Sequence, residues 1–183
     1  MPINKQQQIN DIMTKGLVEN ISKKSVSQST TKRPTVYIMV GLPRSGKSTY
    51  AKRHKGLCAI VSADQLRYLV YGQRFWGPGE DLMWAIRKII LKMLMEQGID
   101  IVIDETNTTV SRRKPIVDLA REYGYFVEAV IINTAERVCI ERAKSEGDDN
   151  LIPIIERMAG QFEPVQREEV DYIYMPLIEE GGG

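Results

Sequence analysis

One short segment of the chain has the residues needed to bind a row of phosphates. Gly41-Leu-Pro-Arg-Ser-Gly46-Lys47-Ser48 matches the pattern G-x-x-x-x-G-K-[ST] without a mismatch. In this pattern the glycines let backbone N–H groups wrap around phosphate oxygens, and the N-terminus of the following helix adds a favourable dipole. Lys47 would bridge the β- and γ-phosphates of a nucleoside triphosphate, and the Ser48 hydroxyl would bind Mg²⁺. The predicted loop consists of Gly41, Leu42, Pro43, Arg44, Ser45, Gly46, Lys47, Ser48 and Thr49.

Asp64 and Arg67 form a second candidate pair, just after an apolar run that ends at Val61. If a helix starts near Ser62, the two side chains lie on one face, at positions i and i+3. A carboxylate there is suited to accept the proton of an acceptor hydroxyl, whereas an acceptor phosphate is already ionised and needs no base. Arg67 could then hold a neighbouring acceptor phosphate. The spacing fits equally well with simple helix capping and an exposed arginine.

A third group of polar residues, Asp104-Glu-Thr-Asn107, follows another apolar run. An acid at the end of a strand beside a phosphate-binding loop is well placed to serve the metal ion, so we predict Asp104 or Glu105 as a Mg²⁺ ligand. Thr106 and Asn107 could contact the acceptor or cap the next helix, and the sequence leaves both options open.

A basic cluster comes next, at Arg112, Arg113 and Lys114. Positive charges at the start of a helix oppose its dipole, which favours an anionic partner. A solvated face is the simpler interpretation.

Alternating apolar and amphipathic segments predict the elements that position these residues. Strands are expected at 35–40, 57–61, 99–103 and 126–132, and helices at 47–54, 111–123, 135–144 and 151–161. Strands separated by helix-length segments imply right-handed crossovers and a parallel sheet covered on both faces. Ligands of such sheets bind beyond the carboxyl ends of the strands, where every group described above lies.

Two further helices are predicted from apolar spacing. One lies between the second and third strands, with its core positions expected at Leu82, Ile86, Ile89, Ile90, Met93 and Leu94. The other is expected within residues 162–171, closing the edge of the sheet. Between the first of these helices and the second strand, Phe75 and Trp76 could stack on a base or pack beneath the helix that contains Trp84, and packing is the preferred interpretation.

Composition excludes several other classes of protein. Hydrophobic residues make up 43% of the 183-residue chain and charged residues 27%, with a formal net charge of +1, which disfavours a non-specific duplex-binding protein. Cys58, Cys139 and the single histidine, His54, offer neither a disulfide framework nor serine–histidine chemistry. No apolar stretch reaches membrane-spanning length and no signal-peptide core is present, so we expect no membrane partner and a cytoplasmic protein.

The first 33 residues differ from the rest of the chain. They are polar, with a glutamine triplet and a Ser/Thr-rich run. We expect residues 1–33 to be a flexible leader and residues 34–180 to be the folded domain.

Taken together, these motifs resemble those of the bacteriophage-type 5′-hydroxyl polynucleotide kinases, within the family of small P-loop kinases. The shared signatures appear in the same order: Gly41 to Thr49, Asp64-Gln-Leu-Arg67, Asp104-Glu-Thr-Asn107 with Arg112 and Arg113 beyond, and Ile140-Glu-Arg142. The resemblance covers about residues 35–165. It implies an α/β, three-layer P-loop NTPase fold with a mostly parallel central sheet flanked by helices and a helical lid.

The resemblance also implies functional roles. Asp64 matches the family's general base, Arg67 its contact to the acceptor 3′-phosphate, and Thr106 a residue that lines the acceptor site. Arg142 matches a lid arginine that reaches the nucleotide phosphates. The implied cofactors are ATP and Mg²⁺, and the implied acceptor is the 5′-hydroxyl end of DNA or RNA. We count Arg112 with the substrate-binding residues.

The chain departs from the family pattern at two positions. Arg44 lies where the loop usually has glycine, and Glu146 lies where the lid normally supplies a second arginine. Two alternatives therefore stay open beside the polynucleotide kinase. One is a P-loop kinase of a small alcohol, a nucleoside or a hydroxymethylated base, and the other is an ATP-binding regulatory module with little turnover.

Overall fold

A parallel β-sheet forms the centre of the molecule. The computed structural model describes residues 33–54, 58–73 and 75–177. Within these ranges five strands pair in the order β2-β3-β1-β4-β5, and every pairing is parallel. The strands are β1 (Thr35–Val40), β2 (Ala59–Val61), β3 (Ile101–Ile103), β4 (Phe126–Ile131) and β5 (Tyr172–Tyr174). The α/β prediction is confirmed.

Helices cover both faces of this sheet. They are α1 (Lys47–His54), α2 (Ala63–Tyr71), α3 (Glu80–Glu96), α4 (Val110–Glu122), α5 (Glu136–Ser145) and α6 (Ile152–Gly160). Successive side chains of a strand point to opposite faces. Accordingly, Val36 and Ile38 of β1 join the core beneath α3 and α4, whereas Met39 packs with Ala51 of α1. The sheet and the two helical layers give the predicted three-layer architecture.

The strand order creates a crevice at the carboxyl ends of β1 and β3. The chain leaves β1 toward β2 on one side, and it leaves β3 toward β4 on the other side. Connections that depart in opposite directions leave a gap between neighbouring strand ends, and ligands of parallel sheets bind there. The phosphate loop follows β1 and Asp104 follows β3, so the topology brings both groups to this crevice.

Helices α5 and α6 form the lid. They are joined by a short 3₁₀ turn at Asp149–Leu151. Cys139 and Ala143 of α5 pack against Ile155 of α6, and Leu42 of the phosphate loop completes this small apolar cluster. The lid therefore shares a core with the loop that it covers.

The prediction for the buried face of α3 is partly wrong. The helix exists, but Leu82, Ile89 and Met93 are exposed, while Ile90 and Leu94 are half-buried against the core. The positions that are fully covered are Met83, Arg87, Leu91 and Met95. Because apolar residues surround much of this helix, helical spacing alone does not single out the buried face.

The predicted last helix is also wrong. Residues 162–171 form turns and irregular chain, and the short strand β5 closes the sheet edge beside β4. Arg113 binds the backbone carbonyls of Glu163 and Pro164, and the carboxylate of Asp171 accepts the N–H of Val127 at 2.8 Å. These contacts hold the segment in a non-helical path, and Pro164 also lacks an N–H group for a helical hydrogen bond.

The remaining elements begin and end within two residues of their predicted limits. The leader predicted over residues 1–33 lies outside the described residues, apart from Arg33, whose guanidinium donates to the carbonyl of Gly124 at 2.8 Å. No helix in the described ranges is long and apolar enough to cross a membrane.

Candidate active site

The phosphate loop takes a shape that depends on glycine at its start. Gly41 has φ 155° and donates its N–H to the carbonyl of Thr106 at 2.9 Å. A Cβ atom at Gly41 would lie 2.7 Å from the carbonyl oxygen of Ile132, so another residue there would force the backbone apart. The hydroxyl of Thr134 then binds the carbonyl of Ser45 at 2.8 Å. The loop is therefore anchored to the ends of both β3 and β4.

The loop runs into the N-terminus of α1, where several backbone N–H groups have no acceptor among the described residues. Among the described residues, no acceptor receives the backbone N–H groups of Gly46, Lys47 or Ser48. Unpaired N–H groups in the first turn of a helix, together with its dipole, form an anion-binding site. This geometry fits the predicted phosphate-binding role.

Lys47 is held inside the loop in the position expected for a phosphate ligand. Its side chain is only 7% exposed, and its ammonium donates to the carbonyl of Leu42 at 2.6 Å and to the Ser45 hydroxyl at 3.4 Å. Burial lowers the pKa of Lys47 to about 8, although the nearby carboxylate of Asp104 partly opposes this shift. The free protein thus holds a lysine that is easily deprotonated.

Nucleotide affinity should therefore fall as the pH rises above about 8. Bound phosphates favour the charged lysine and raise its pKa, so binding above that pH requires uptake of a proton, and affinity drops by up to about tenfold per pH unit. Calorimetric titration with a non-hydrolysable ATP analogue at pH 7 to 9.5, in two buffers of different ionisation enthalpy, measures both effects. The variant K47M should bind weakly with no pH dependence over this range, and a flat wild-type profile would contradict the assignment.

Asp64 and Arg67 meet as predicted. Ser62 caps α2 by accepting the N–H of Gln65 at 3.5 Å, so Asp64 is left to pair with Arg67 at 2.9 Å. The Asp64 side chain is 64% exposed to the cleft. Arg67 is also bound in a bidentate manner by Glu80, with both distances 2.7 Å. The guanidinium of Arg67 thus pairs with two carboxylates, one from α2 and one from α3.

The two acids after β3 have different surroundings. Both carboxylate oxygens of Glu105 are bound by Arg87, at 2.5 and 3.1 Å, and burial raises the pKa of Glu105 although Arg87 opposes the shift. The Asp104 carboxylate makes no hydrogen bond to any described residue and faces the cleft near Lys47. Asp104 is consequently the better metal ligand of the two.

The Ser48 hydroxyl and the Asp104 carboxylate fit a magnesium ion. Both line the cleft, and the hydroxyl makes no hydrogen bond to any described residue. Mg²⁺ prefers oxygen ligands and takes few from the protein, because phosphates and water complete its shell. The described residues contain no group of three or more His, Cys, Asp or Glu side chains that would form an all-protein metal cage.

Thr106 and Asn107 differ in role. Asn107 is buried at φ 45°, and its amide donates to the carbonyl of Met39 at 2.8 Å. It joins the end of β3 to the end of β1 and is not available to a ligand. The Thr106 side chain lines the cleft, and its carbonyl supports Gly41.

The basic cluster on α4 separates into three different environments. Arg113 is fully buried and binds Glu169. Lys114 points to solvent and pairs with Asp118. Arg112 faces the cleft, with its guanidinium 5.6 Å from the centre of the Trp84 ring and no ion pair to a described acid.

Three guanidinium groups lie close to the indole ring of Trp84. Arg67, Arg87 and Arg112 lie 5.7, 5.4 and 5.6 Å from the ring centre. Cations over an aromatic face are attracted by its quadrupole. The ring therefore sets the spacing of the arginines that line this side of the cleft.

The lid contributes Arg142 and two acids. The Arg142 guanidinium donates to the carbonyl of Arg44 at 3.1 Å, directly over the phosphate loop. The Arg44 side chain pairs with Glu146 and, at 3.0 Å, with Asp148. Arg44 itself has φ 63°, a left-handed conformation that costs a residue with a side chain about 1–2 kcal/mol.

One cleft of about 3000 Å³ joins these groups. All the predicted site residues line this cleft except Gly41 and Leu42, the first two residues of the loop, which are buried. Some residues at the cleft were not predicted from the sequence. Four of them line it directly: Tyr68, Glu80, Trp84 and Arg157. A fifth, Arg87, lies behind the cleft and binds Glu105, which lines it. Tyr68 lies one helical turn after Asp64, so the helix face that carries the predicted pair was the signal that could have identified it.

Both aromatic residues after α2 are exposed, Phe75 to 67% and Trp76 to 45%, so neither is buried beneath the helix that contains Trp84, which was the preferred prediction. Trp76 packs edge-on against Tyr71, with ring centres 5.1 Å apart. Phe75 is exposed and lines the cleft, as does Tyr68.

The parallel sheet, the phosphate loop, the buried lysine and the arginine-bearing lid together form a P-loop kinase-like fold. A family profile described as an AAA domain matches residues 36–164, and the chain belongs to this family.

The chain is similar to parts of two larger proteins. The chain is 31% identical over 175 residues to 6-phosphofructo-2-kinase/fructose-2,6-bisphosphatase 1 of Rattus norvegicus, covering 82% of this chain and 36% of that protein. It is 28% identical over 121 residues to 2',3'-cyclic-nucleotide 3'-phosphodiesterase of Pongo abelii, covering 61% and 27%. The chain thus spans well under half the length of these curated relatives.

Solved structures share the fold at low identity. A chain of the Pnkp1/Rnl/Hen1 complex matches with a TM-score of 0.56 and 23% identity, over 63% of this chain and 41% of that one. The Mycobacterium tuberculosis APS kinase CysC matches with a TM-score of 0.53 and 21% identity, over 79% and 89%. A gluconokinase from Sinorhizobium meliloti matches with a TM-score of 0.51 and 17% identity, over 79% and 82%.

Proposed function

We propose that this protein transfers the γ-phosphoryl group of ATP to an acceptor hydroxyl, and that the acceptor is the 5′-hydroxyl end of DNA or RNA. The observation that carries the proposal is the exposed carboxylate of Asp64, which lines the same cleft as the phosphate loop. A carboxylate beside the transferred phosphate serves an alcohol acceptor, whose proton must leave during transfer.

The nucleotide side of the site supports this chemistry. Lys47 and the free N–H groups at the start of α1 bind the triphosphate, while Arg142 stabilises the charge that develops on the transferred group. Ser48 and Asp104 would hold Mg²⁺, which when bound would neutralise charge on the β- and γ-phosphates.

The acceptor side favours a nucleotide-like substrate. Arg67 is already paired with Asp64 and Glu80, whereas Arg112 makes no ion pair with a described acid and feels Glu80 and Glu105 only at longer range. We therefore assign binding of the acceptor's own phosphate chiefly to Arg112, with Arg67 orienting the base, Asp64. Tyr68 and Phe75 expose rings into the same cleft, and such rings stack on bases.

The similar structures bear on the choice of acceptor. One of them belongs to the Pnkp1/Rnl/Hen1 RNA repair complex, which supports a polynucleotide. APS kinase and gluconokinase, which share the fold, support the second candidate, a small-molecule alcohol or nucleoside. The neutralised Arg67 also favours that candidate, because it reduces the positive charge that faces the acceptor.

Transfer from γ-labelled ATP with Mg²⁺ distinguishes the candidates. The acceptors are 5′-hydroxyl DNA and RNA oligonucleotides, nucleoside 3′-monophosphates, nucleosides and gluconate. We expect label on the 5′ ends of the oligonucleotides and on nucleoside 3′-monophosphates, and much less on plain nucleosides. Label on gluconate or nucleosides alone would favour the second candidate, and no labelled product would contradict the kinase proposal.

The variants R112Q and K114Q provide a matched pair on α4. R112Q should raise KM at least about tenfold for acceptors that carry a 3′-phosphate, since one hydrogen bond to a charged group contributes about 1.5 kcal/mol or more. It should leave KM for plain nucleosides unchanged. K114Q alters a solvent-exposed lysine outside the cleft and should change neither value.

A further inference from the structure

The Arg44 side chain links the phosphate loop to the end of the lid helix α5. Its guanidinium pairs with Glu146 and, at 3.0 Å, with Asp148. Glu146 is the C-cap residue of α5, and Asp148 immediately precedes the 3₁₀ turn that leads to α6. One side chain of the loop therefore holds the junction between the two lid helices.

The backbone of the same residue receives the lid arginine. The carbonyl of Arg44 accepts a hydrogen bond from Arg142 at 3.1 Å, and Arg142 lies one helical turn before Glu146 on α5. Because Arg44 adopts φ 63°, its side chain and its carbonyl both reach α5. A glycine would adopt this conformation more easily, so the contacts of Arg44 are made from an unfavourable backbone conformation.

The three charges at this contact also explain how acids can lie beside a triphosphate site. Glu146 and Asp148 would repel phosphate oxygens if they faced the loop unpaired. Arg44 offsets one of these two negative charges, and its side chain lies between them and the loop backbone. The contact therefore compensates part of the negative charge while it fixes the position of α5.

Resting on the proposed kinase activity, we propose that Arg44 is a positioning residue that docks the lid onto the phosphate loop through Glu146 and Asp148 and thereby places Arg142 over the transferred phosphate. In the proposed function Lys47 and the backbone N–H groups of the loop bind the triphosphate. Loss of the Arg44 side chain should therefore lower kcat more than it weakens ATP binding. A small displacement of a charge-stabilising group is enough to lower a rate strongly.

The test compares R44G, R44K and the lid double variant E146Q/D148N with the wild type. R44G removes the side chain at a position where glycine suits the backbone, and this relief offsets part of the loss of two ion pairs, so its thermal midpoint should stay close to that of the wild type. We expect R44G to lower kcat about tenfold or more with a smaller change in KM for ATP. E146Q/D148N should lower kcat by a similar factor, whereas R44K should keep most of the wild-type kcat. The triple variant R44G/E146Q/D148N should be no slower than R44G or E146Q/D148N, because both changes remove the same contact.

Hydrogen exchange gives a readout that does not need catalysis. In the nucleotide-free protein, amides of residues 136–160 should exchange faster in R44G and in E146Q/D148N than in the wild type. If these amides exchange at wild-type rates in both, the docking role is wrong, whether or not the protein phosphorylates any acceptor. If exchange increases but kcat does not fall, Arg44 docks the lid without positioning Arg142, and that result also overturns the proposal.

Discussion

Replacement of Asp64 by asparagine is expected to reduce kcat for transfer to a hydroxyl acceptor by about 10²–10⁴-fold. Asparagine keeps the size of the side chain and can still accept a hydrogen bond from Arg67, but it cannot take up the proton of the acceptor. ATP affinity and thermal stability should stay close to wild type, because Asp64 is 64% exposed and lies outside the phosphate loop.

Single-turnover transfer and calorimetric ATP binding measure these two effects separately. The matched control is D81N, which changes an exposed acid in the first turn of α3 that does not line the cleft. D81N should retain wild-type kcat. If D64N transfers phosphate at a rate within about threefold of the wild type, general-base catalysis by Asp64 is wrong.

Replacement of Arg113 by methionine is expected to lower the free energy of unfolding by about 3–5 kcal/mol. Arg113 is 0% exposed. It binds the Glu169 carboxylate at 2.8 and 3.0 Å and donates to the carbonyls of Asn107 and Glu163 at 3.1 and 3.0 Å. Its loss leaves a largely buried carboxylate and several carbonyls without partners, which is costly in a medium of low dielectric constant.

Urea unfolding followed by circular dichroism measures this loss. The double variant R113M/E169Q should recover part of the stability, since it removes the uncompensated charge. K114M, at the neighbouring exposed position, should change stability by less than about 0.5 kcal/mol. A loss of less than about 1 kcal/mol in R113M would mean that the segment 162–171 is held by other contacts.

The sequence predicted the position of the site because strand ends are local features. Gly41, Asp64 and Asp104 each follow an apolar run, and the rule that parallel strands end at one edge brings them together without further information. The motif G-x-x-x-x-G-K-[ST] predicted Lys47 as a phosphate ligand. In the structure Lys47 lies within the loop and is 7% exposed, and its role stays a prediction.

The sequence did not reveal how the charges pair. Arg67 with Glu80, Arg87 with Glu105 and Arg44 with Glu146 join residues 13, 18 and 102 positions apart, and periodicity carries no information about such pairs. The pair of Arg87 with Glu105 leaves Asp104 as the candidate metal ligand, and a further pair, Arg113 with Glu169, leaves Arg112 as the candidate acceptor contact. The strand β5 was missed for a related reason, because the long-range contacts of Arg113 and Asp171 outweigh the local helical pattern.

The helical pair α2 and α3 has a consequence for how the enzyme could acquire new acceptors. Asp64, Arg67, Tyr68, Phe75 and Trp84 all lie within one continuous stretch of the chain, which pairs internally through Arg67 and Glu80. The nucleotide-binding groups instead come from the ends of β1 and β3 and from the lid, held together by Asn107 and Thr134. Under the proposed function, exchange of this one segment between homologous kinases would replace the proposed base and the aromatic rings that face the acceptor. Arg112 on α4 and the groups that bind the phosphate donor would stay in place.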